Sequence, residues 1–396
     1  MRVGTPGFIG ERLREAREAR GINGVALSEM LGITRQAISQ YENGTMTPAP
    51  EILELMAVVL NVPERFFWRP VRRADIGTVF YRSFASTTKT ARLRAERRYG
   101  WLKEIASYIE HYVEMPRSEF PDAAPNPRQL TVDDIEHIAG EVRAELGLGT
   151  APVPDMVVLL ENQGAIVSRF DVGTESLDAF SEWSADESRP YVILSADKGS
   201  AVRSRLDAAH ELGHMVLHRH VSPATLASKE VFDLIEPQAK RFGAAFLLPA
   251  QEFADDFFYP TLGELKRLKD KWGASMAMIL KRCEDLDLLP EKEITRLWIA
   301  LSRGGRKREP GDDILEPEQP RLLRDSFELL LQERVRTRAE IKDDLPFSLH
   351  DVEALAGLPS GFFEEPKPAA VVELKVHRAG NGQGGEGRVV PFPKKS

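Results

Sequence analysis

Two histidines four residues apart, with a glutamate directly after the first, are the residues of this sequence best suited to chemistry. They lie in the segment His210-Glu211-Leu212-Gly213-His214. On an α-helix, residues i and i+4 project from one side, so His210 and His214 can hold one metal ion and Glu211 lies beside them. Zinc lowers the pKa of a bound water, and the glutamate can take its proton as the water attacks a carbonyl. We therefore predict zinc-dependent peptide hydrolysis, with Glu211 as general base.

A zinc site of this kind needs a third protein ligand. His220 has the spacing of the metzincin pattern His-Glu-x-x-His-x-x-Gly-x-x-His, but that pattern needs a glycine where this chain has Leu217. Six helical residues also turn about 600°, so His220 would point away from the metal. The other option is a carboxylate from a following helix. The candidates, in order of preference, are Glu236, Glu230 and Asp233.

The wider segment resembles a known family of metallopeptidases. The string Ala-His-Glu-Leu-Gly-His-x-x-Leu-His is followed by Glu-x-x-Ala-x-x-Phe-x-x-x-Phe-Leu-Leu-Pro, and together they resemble the ImmA/IrrE metallopeptidases over about residues 150–290. The resemblance implies that His210, His214 and Glu236 bind zinc and that Glu211 is the base. Pro237 beside the third ligand predicts that Glu236 lies in the first turn of its helix. Zinc is the favoured metal, and manganese and iron also suit these ligand types.

Three further side chains carry weaker expectations. His218, one turn beyond His214, is expected to be a packed or solvent-facing histidine rather than a contact of the site. Tyr259 could polarise the scissile carbonyl, but we expect a core aromatic. Cys283 is the single cysteine, so the chain can form neither an intrachain disulfide nor a cysteine-rich zinc site, and we expect it in the core.

The N-terminal residues predict a DNA-binding unit. A helix over about 25–31 and a third helix starting at Arg35 meet at Gly32, and the small Ala26 lets the two helices cross steeply, as in a helix-turn-helix. Arg and Gln can pair with base edges in the major groove, while Ser and Thr can donate to phosphate. The residues predicted to contact DNA are Thr34, Arg35, Gln36, Ser39, Gln40 and Asn43.

The string Ile-Ser-Gln-Tyr-Glu-Asn-Gly, residues 38–44, makes this unit closely resemble the Xre/Cro type of helix-turn-helix over about 60 residues. The resemblance implies a double-stranded DNA operator as partner, and such units usually work as homodimers. Tyr81-Arg82-Ser83 and the Arg-rich stretch 92–98 could extend a phosphate-binding face. We expect instead that the Arg-rich stretch is a solvated helix face.

Charge and composition agree with this division. The net charge of the 396 residues is −8, but residues 1–114 carry 17 Lys and Arg against 13 Asp and Glu, so this part is at +4 and the remainder at −12. A basic part joined to an acidic part suggests that only the former meets a polyanion. No apolar run reaches the roughly 18–20 residues that span a bilayer, and no signal peptide is apparent. We expect a cytoplasmic protein without a membrane partner.

The sequence of elements predicts a mainly α protein with a small β-sheet, an α+β fold. Short β-rich runs at 165–170, 179–183 and 191–194 interrupt otherwise helical patterns. Five units are predicted: the helix-turn-helix domain 6–70, a helical connector and linker 71–125, a zincin-like metallopeptidase domain 126–304, a helical C-terminal region 305–377 and a disordered basic tail 378–396.

These features predict a DNA-binding transcription regulator that also cleaves a protein. By resemblance, the substrate would be a DNA-bound repressor, cut in a stress or mobile-element response. The helix-turn-helix could bring the peptidase to the operator and raise its effective concentration there. Two alternatives stay open: a non-catalytic regulator whose metallopeptidase fold senses a ligand or signal, and self-cleavage.

Overall fold

A computed structural model describes most of the chain. The described residues are 4–71, 78–80, 88–123, 126–171, 179–184, 189–196, 200–226, 228–303, 309–312 and 315–364, with backbone alone for 78–80 and 223. The predicted Tyr81-Arg82-Ser83 contact and the predicted tail 378–396 lie outside these residues. None of the described helices has the length and apolar character that crossing a membrane requires.

The described residues form seventeen α-helices, a short 3-10 helix and four strands. The helices are α1 Gly10–Ala19, α2 Gly24–Met30, α3 Arg35–Glu42, α4 Pro50–Leu60, α5 Lys89–Glu110, α6 Val132–Glu145, α7 Met156–Asn162, α8 Ala201–Leu217, α9 Pro223–Leu226, α10 Lys229–Leu247, α11 Ala250–Asp256, α12 Leu262–Trp272, α13 Met276–Asp285, α14 Glu291–Arg303, α15 Leu322–Gln332, α16 Arg338–Asp344 and α17 Leu349–Leu355. The 3-10 helix is Glu64–Trp68, and the strands are β1 Thr78–Phe80, β2 Ile166–Phe170, β3 Ala179–Ser184 and β4 Arg189–Ser195. The predicted class, mainly α with a small sheet, is confirmed.

The first four helices are delimited by local signals in the sequence. Asn23 accepts hydrogen bonds from the first N–H groups of α2, and Thr34 accepts one from the N–H of Ala37 in α3. Between them, Gly32 has a φ of +63°, a conformation that glycine adopts without strain. Arg17 of α1 pairs with Glu42 at 2.5 Å, which holds α3 against α1. Helices α2 and α3 therefore form the predicted helix-turn-helix.

The sheet has the order β1-β3-β4-β2, in which β2 runs parallel to β4 and β3 runs antiparallel to both β4 and β1. Side chains alternate between its two faces, and both faces are buried. Phe180 and Tyr191 belong to one core with α1–α5 and α15–α17. Trp183 and Val192 belong to a second core with α6–α8 and α10–α14. The sheet is therefore the layer between two cores, and the helix-turn-helix shares the first.

The C-terminal helices tie these parts together. Asp351 at the start of α17 is buried and pairs with Arg20, at the end of α1, through two contacts of 2.5 and 2.7 Å. Ser168 of β2 donates to the carbonyl of Leu355 at 2.6 Å. Glu161 of α7 accepts from the N–H of Arg321, directly before α15, at 3.0 Å. The C-terminal helices therefore connect the helix-turn-helix to the sheet.

The expectation of a solvated basic face on α5 holds for Arg92, which is exposed, and is wrong for Arg98. Arg98 is buried with its guanidinium 5.0 Å from the ring of Phe170, and Arg97 pairs with Glu18 of α1 at 2.8 Å. Helix α5 lies between the helix-turn-helix and the sheet, so only part of its surface faces solvent. These arginines join the two parts instead of extending a phosphate-binding surface.

Candidate functional site

The two histidines of the motif lie side by side on the buried part of α8. His210 and His214 are exposed by 6% and 1%, and their Nε2 atoms are 3.0 Å apart. The helix forms because apolar residues surround the motif at helical spacing, and these residues anchor it in the second core. The predicted i, i+4 pairing on one face is therefore what the structure contains.

Glu236 reaches the same point from α10. Its carboxylate oxygens lie 3.5 Å from Nε2 of His210 and 3.2 Å from Nε2 of His214. Among the described residues these three form the group of His, Cys, Asp and Glu side chains close enough to hold one metal ion, with all ligand atoms within 4.8 Å. Burial disfavours the charge on Glu236, but hydrogen bonding and attraction from both histidines hold its pKa below its usual range.

The predicted position of Glu236 in its helix was wrong. Helix α10 begins at Lys229, so Glu236 lies in its middle and Pro237 is inside the helix. Proline lacks the N–H that would bond the carbonyl four residues earlier, at Asp233, so it usually marks a first turn. Here packing of the apolar side of α10 outweighs the loss of that bond.

Helices α8 and α10 can cross closely because each has a glycine at the contact. A Cβ on Gly213 would lie 2.8 Å from the carbonyl oxygen of Ala239, and a Cβ on Gly243 would lie 3.0 Å from the backbone nitrogen of His210. At 2.8 Å, a Cβ on Gly213 would force one of the helices to shift, and at 3.0 Å, a Cβ on Gly243 would require the facing backbone to move by a few tenths of an ångström. This crossing sets the distance between Glu236 and the histidine pair.

A chain of hydrogen bonds holds the ring of His214 at Nδ1, while its Nε2 faces Glu236. Its Nδ1 is 3.1 Å from Nδ1 of His218, whose Nε2 is 3.1 Å from the amide oxygen of Gln238. Gln238 in turn donates to the carbonyl of Pro127 at 2.7 Å. Burial lowers the pKa of His218 to about 3, so its ring is neutral and can share a proton with His214. His218 is packed, as expected, but it also contacts the site, which was not expected.

Glu211 lies beside this cluster with its carboxylate buried. The hydroxyl of Ser181, on β3, donates to Oε2 of Glu211 at 2.5 Å. Burial raises the pKa of Glu211 to about 7, although His210 and Ser181 act in the opposite direction. A carboxylate whose pKa is near neutrality can both accept and return a proton.

The donor set fits a zinc ion. Ligand bonds of about 2.0–2.1 Å in a tetrahedron place neighbouring ligand atoms about 3.3 Å apart. The Nε2 atoms of His210 and His214 are 3.0 Å apart, and they lie 3.5 Å from Oε2 and 3.2 Å from Oε1 of Glu236, respectively. Two imidazoles and one carboxylate also leave a fourth position for water or substrate, the composition of catalytic zinc sites.

The other candidate ligands point elsewhere. His220 is largely exposed and pairs with Asp122 at 3.0 Å, while Glu230 is exposed and pairs with Arg128 at 3.1 Å. Asp233 is exposed on α10. Tyr259 is 68% exposed, so its expected place in the core was wrong, because the segment after α11 turns to the surface. Cys283 is buried, as expected.

Sequence reasoning missed Ser181 and Gln238. Ser181 is one polar residue in a β-rich run, and its partner Glu211 is 30 residues away. Gln238 lies two residues after Glu236 on α10, but its contact with His218, at the end of α8, depends on how the two helices cross. No local spacing relates either residue to the motif, so no signal in one sequence could have identified them.

The predicted DNA-contacting residues form an exposed surface on α3. Arg35, Gln36 and Ser39 are exposed, and Gln40 is half-buried, while Ile38 and Tyr41 face the core. The remaining two have structural contacts of their own.

Thr34 caps α3 by accepting from the N–H of Ala37. The amide oxygen of Asn43 accepts from Arg14 at 2.7 Å. The hydroxyl of Ser39 also accepts from the side-chain amide of Asn43, at 3.4 Å. The structure therefore leaves Arg35, Gln36 and Gln40 as the members of the set whose side chains can turn toward a ligand without giving up a described hydrogen bond.

Comparison with known proteins finds a different family in each of two parts of the chain. Residues 13–67 match the helix-turn-helix family, and residues 160–284 match the IrrE N-terminal-like domain family. Both predicted resemblances are confirmed. Two uncharacterized HTH-type transcriptional regulators, from Sinorhizobium medicae and Rhizobium meliloti, are each 40% identical over 137 residues, which is 35% of this chain and 90% of the relative.

Two further similarities are more limited. The antitoxin HigA-1 of Vibrio cholerae is 37% identical over 70 residues, which is 17% of this chain and 65% of that protein. Among solved structures, a Mycobacterium tuberculosis transcriptional regulator aligns with 40% of this chain at 17% identity and a TM-score of 0.29. This chain spans about half of that solved chain, 51% of its length.

Proposed function

The chain belongs to the HTH-type transcriptional regulators, which bind DNA, and from that premise we propose that its IrrE-like part is a zinc-dependent endopeptidase that cuts a protein substrate. The observation that carries the proposal is the buried convergence of His210, His214 and Glu236 next to Glu211. Metal-ligand spacing alone suits many zinc hydrolases. A buried carboxylate beside the cluster, held by Ser181, suits proton transfer during hydrolysis.

Each residue of the site has a separate role in the proposed hydrolysis. His210, His214 and Glu236 would hold the ion, which when bound lowers the pKa of water and polarises a peptide carbonyl. Glu211 takes a proton from the attacking water and passes it to the leaving amine. Ser181 fixes one oxygen of that carboxylate, and His218 with Gln238 fixes the ring of His214.

The substrate we propose is a protein that is itself found on DNA, such as a repressor. The helix-turn-helix shares a hydrophobic core with one face of the sheet, so the catalytic part would be held at a set position relative to a bound operator. A protein on neighbouring DNA would then be present at high effective concentration. Arg35, Gln36, Ser39 and Gln40 supply the proposed base and phosphate contacts.

The test is cleavage that depends on Glu211. The purified full chain is loaded with zinc and incubated with a peptide library and with small Xre-type repressors, and products are identified by mass spectrometry. We expect cuts by the wild-type chain that disappear in Glu211→Gln, which keeps the side-chain volume but removes the base. Parallel samples loaded with manganese or iron show which of the three metals supports cleavage.

Equal product patterns for the wild type and Glu211→Gln would contradict the peptidase proposal. If operator binding persisted in both, that result would support the non-catalytic regulator instead. Shortening of the chain itself, abolished by the same substitution, would show self-cleavage.

A further inference from the structure

A buried lysine and a buried glutamate face each other between α5 and the sheet. The side chains of Lys103 on α5 and Glu182 on β3 are exposed by only 1% and 2%, and their Nζ and Oε1 atoms are 3.8 Å apart. Among the described residues, the ammonium group of Lys103 has no hydrogen-bond partner, and the rings of Tyr99 and Tyr191 lie 5.5 and 5.9 Å from it. The two charges therefore interact inside the protein at a distance longer than a hydrogen bond.

Stability does not explain an ion pair of this kind. Removing two charges from water costs free energy, and their attraction recovers it only when the hydrogen-bond geometry is good. An apolar pair of similar volume is therefore often as stable or more stable. The best-attested uses of buried ionic groups are fixing the register of packed elements and switching between states. The role of this pair therefore depends on which elements it joins.

On the sheet side, the pair is next to the candidate site. Ser181 directly precedes Glu182 on β3, and neighbouring residues of a strand point to opposite faces of the sheet. Ser181 faces α8, where its hydroxyl donates to Glu211 of the metal-binding motif. A displacement of β3 moves both side chains, so the positions of Glu211 and Lys103 depend on the same strand.

On the helix side, α5 continues the connection to the DNA-binding unit. Trp101 lies two residues before Lys103, so it points to the opposite side of α5, and its Nε1–H donates to Glu15 of α1 at 2.7 Å. Helix α1 in turn holds the predicted recognition helix α3 through Arg17. Side-chain contacts therefore lead from the candidate metal site through β3, α5 and α1 to α3.

We propose that this series of contacts couples the metal site to operator binding, so that zinc is an effector of DNA recognition as well as the ion of the site. When the ion is held by ligands from both α8 and α10, these helices and the strand β3 packed against α8 move less. Binding of the operator to a chain that is already ordered costs less conformational entropy. Zinc therefore tightens operator binding. The inference goes beyond the peptidase proposal and requires no cleavage.

The experiment measures operator affinity with and without zinc. A fluorescein-labelled duplex, selected from a random library with the zinc-loaded full chain, is titrated at one salt concentration with zinc-loaded and chelator-treated protein and followed by anisotropy. We expect zinc to lower the operator Kd by at least about fivefold. Because linkage is reciprocal, saturating operator should lower the zinc Kd by the same factor, measured with a chromophoric chelator. Hydrogen exchange of residues 89–110 should slow when zinc is added.

A double variant, Lys103→Met with Glu182→Gln, tests the pair itself. Both changes remove a charge and keep the length of the side chain, and they are combined because either alone leaves an unpaired buried charge. We expect this variant to melt near the wild-type temperature and to bind zinc and operator, each without an effect on the other. Lys266→Met with Asp270→Asn removes an exposed ion pair on α12 and is the matched control, which should keep the wild-type coupling.

Two further variants complete the series. Trp101→Phe keeps an aromatic ring but removes the hydrogen bond to Glu15, so it should also reduce the coupling and serves as a second test if the double variant melts early. Glu236→Gln, which lacks a proposed ligand, should show no zinc effect at zinc concentrations that load the wild type.

An operator Kd that is the same with and without zinc would overturn the proposal. Wild-type coupling in both the Lys103→Met/Glu182→Gln and the Trp101→Phe variants would also overturn it, because the effect would then pass through other contacts. A zinc effect that persists in Glu236→Gln would place the responsible ion elsewhere and refute it as well. A chain that cuts no substrate but shows the expected coupling would refute the peptidase function alone.

Discussion

Gly213 of α8 and Gly243 of α10 lie at one helix crossing, and each meets the backbone of the other helix where a Cβ would stand. The atoms they would meet are the carbonyl oxygen of Ala239 at 2.8 Å and the backbone nitrogen of His210 at 3.0 Å. One of these neighbours is a proposed metal ligand, and the other lies three residues after Glu236. The contact between the two helices therefore also sets the spacing of the three ligands.

The first prediction concerns this crossing. Gly213→Ala should lower the free energy of unfolding by about 1–3 kcal/mol, because the added methyl group forces the helices apart. It should also weaken zinc binding, since Glu236 would move away from the histidine pair. Gly140→Ala on α6, where a Cβ meets nothing within 4 Å, is the control and should stabilise the chain by up to about 1 kcal/mol. Equal melting temperatures for the two variants would be inconsistent with a tight crossing.

The second prediction separates Glu236 from its neighbours in sequence. Glu236→Gln should reduce zinc affinity by more than about tenfold, because an uncharged amide replaces the carboxylate ligand. Glu230→Gln, at an exposed position on the same helix, should leave it unchanged. Competition with a chromophoric chelator measures both. A similar loss in the two variants would mean that Glu236 is not a ligand.

The third prediction tests the support of His214. Gln238→Leu removes the partner of His218, and we expect zinc affinity to fall roughly 10–100-fold with the fold retained. Gln251→Leu, which changes an exposed glutamine bonded to Asp255, is the control. If Gln238→Leu binds zinc as tightly as the wild type, the hydrogen bonds from Gln238 through His218 to His214 do not affect zinc affinity.

The fourth prediction addresses DNA recognition. An operator is first selected from a random duplex library with the wild-type chain. Arg35→Ala and Gln36→Ala should each then cost about 1–3 kcal/mol in operator affinity, through lost base contacts. The control is the Glu211→Gln variant, whose changed residue is far from α3 in sequence and outside the helix-turn-helix. It should bind the operator with wild-type affinity. Unchanged affinity for both alanine variants would show that α3 does not read the bases.

The fifth prediction concerns pH and stability. Burial raises the pKa of Glu161 from 4.5 to about 7, against the N–H groups of Leu322 and Arg321, which lower it. The folded chain therefore holds a proton that the unfolded chain releases between these pH values, so this group's contribution to stability falls as pH rises from about 4.5 to 7. In Glu161→Gln this loss, at most about 3 kcal/mol, should be absent.

Denaturant unfolding of the wild type and Glu161→Gln across that pH range measures the difference between the two. Glu54→Gln, on the exposed side of α4, is the control and should follow the wild-type curve. Parallel curves for the wild type and Glu161→Gln would show that this carboxyl group does not bind the extra proton.

Local spacing alone established the parts of this protein that lie within single helices. The i, i+4 histidines with Glu211 between them, and the exposed residues of α3 against buried Ile38 and Tyr41, follow from the 3.6-residue period of a helix. Those features need no knowledge of distant residues. The predicted class of fold and the two family resemblances rest on the same local signals.

The tertiary structure decided everything that depends on how separate elements meet. It brings Glu236 rather than Glu230 or Asp233 to the histidines, because α10 crosses α8 at two glycines. It places Ser181 on Glu211 and β1 along β3 through strand register. Helix crossings and strand pairings join residues tens of positions apart, and packing of the whole chain, not any local pattern, determines which of them come into contact.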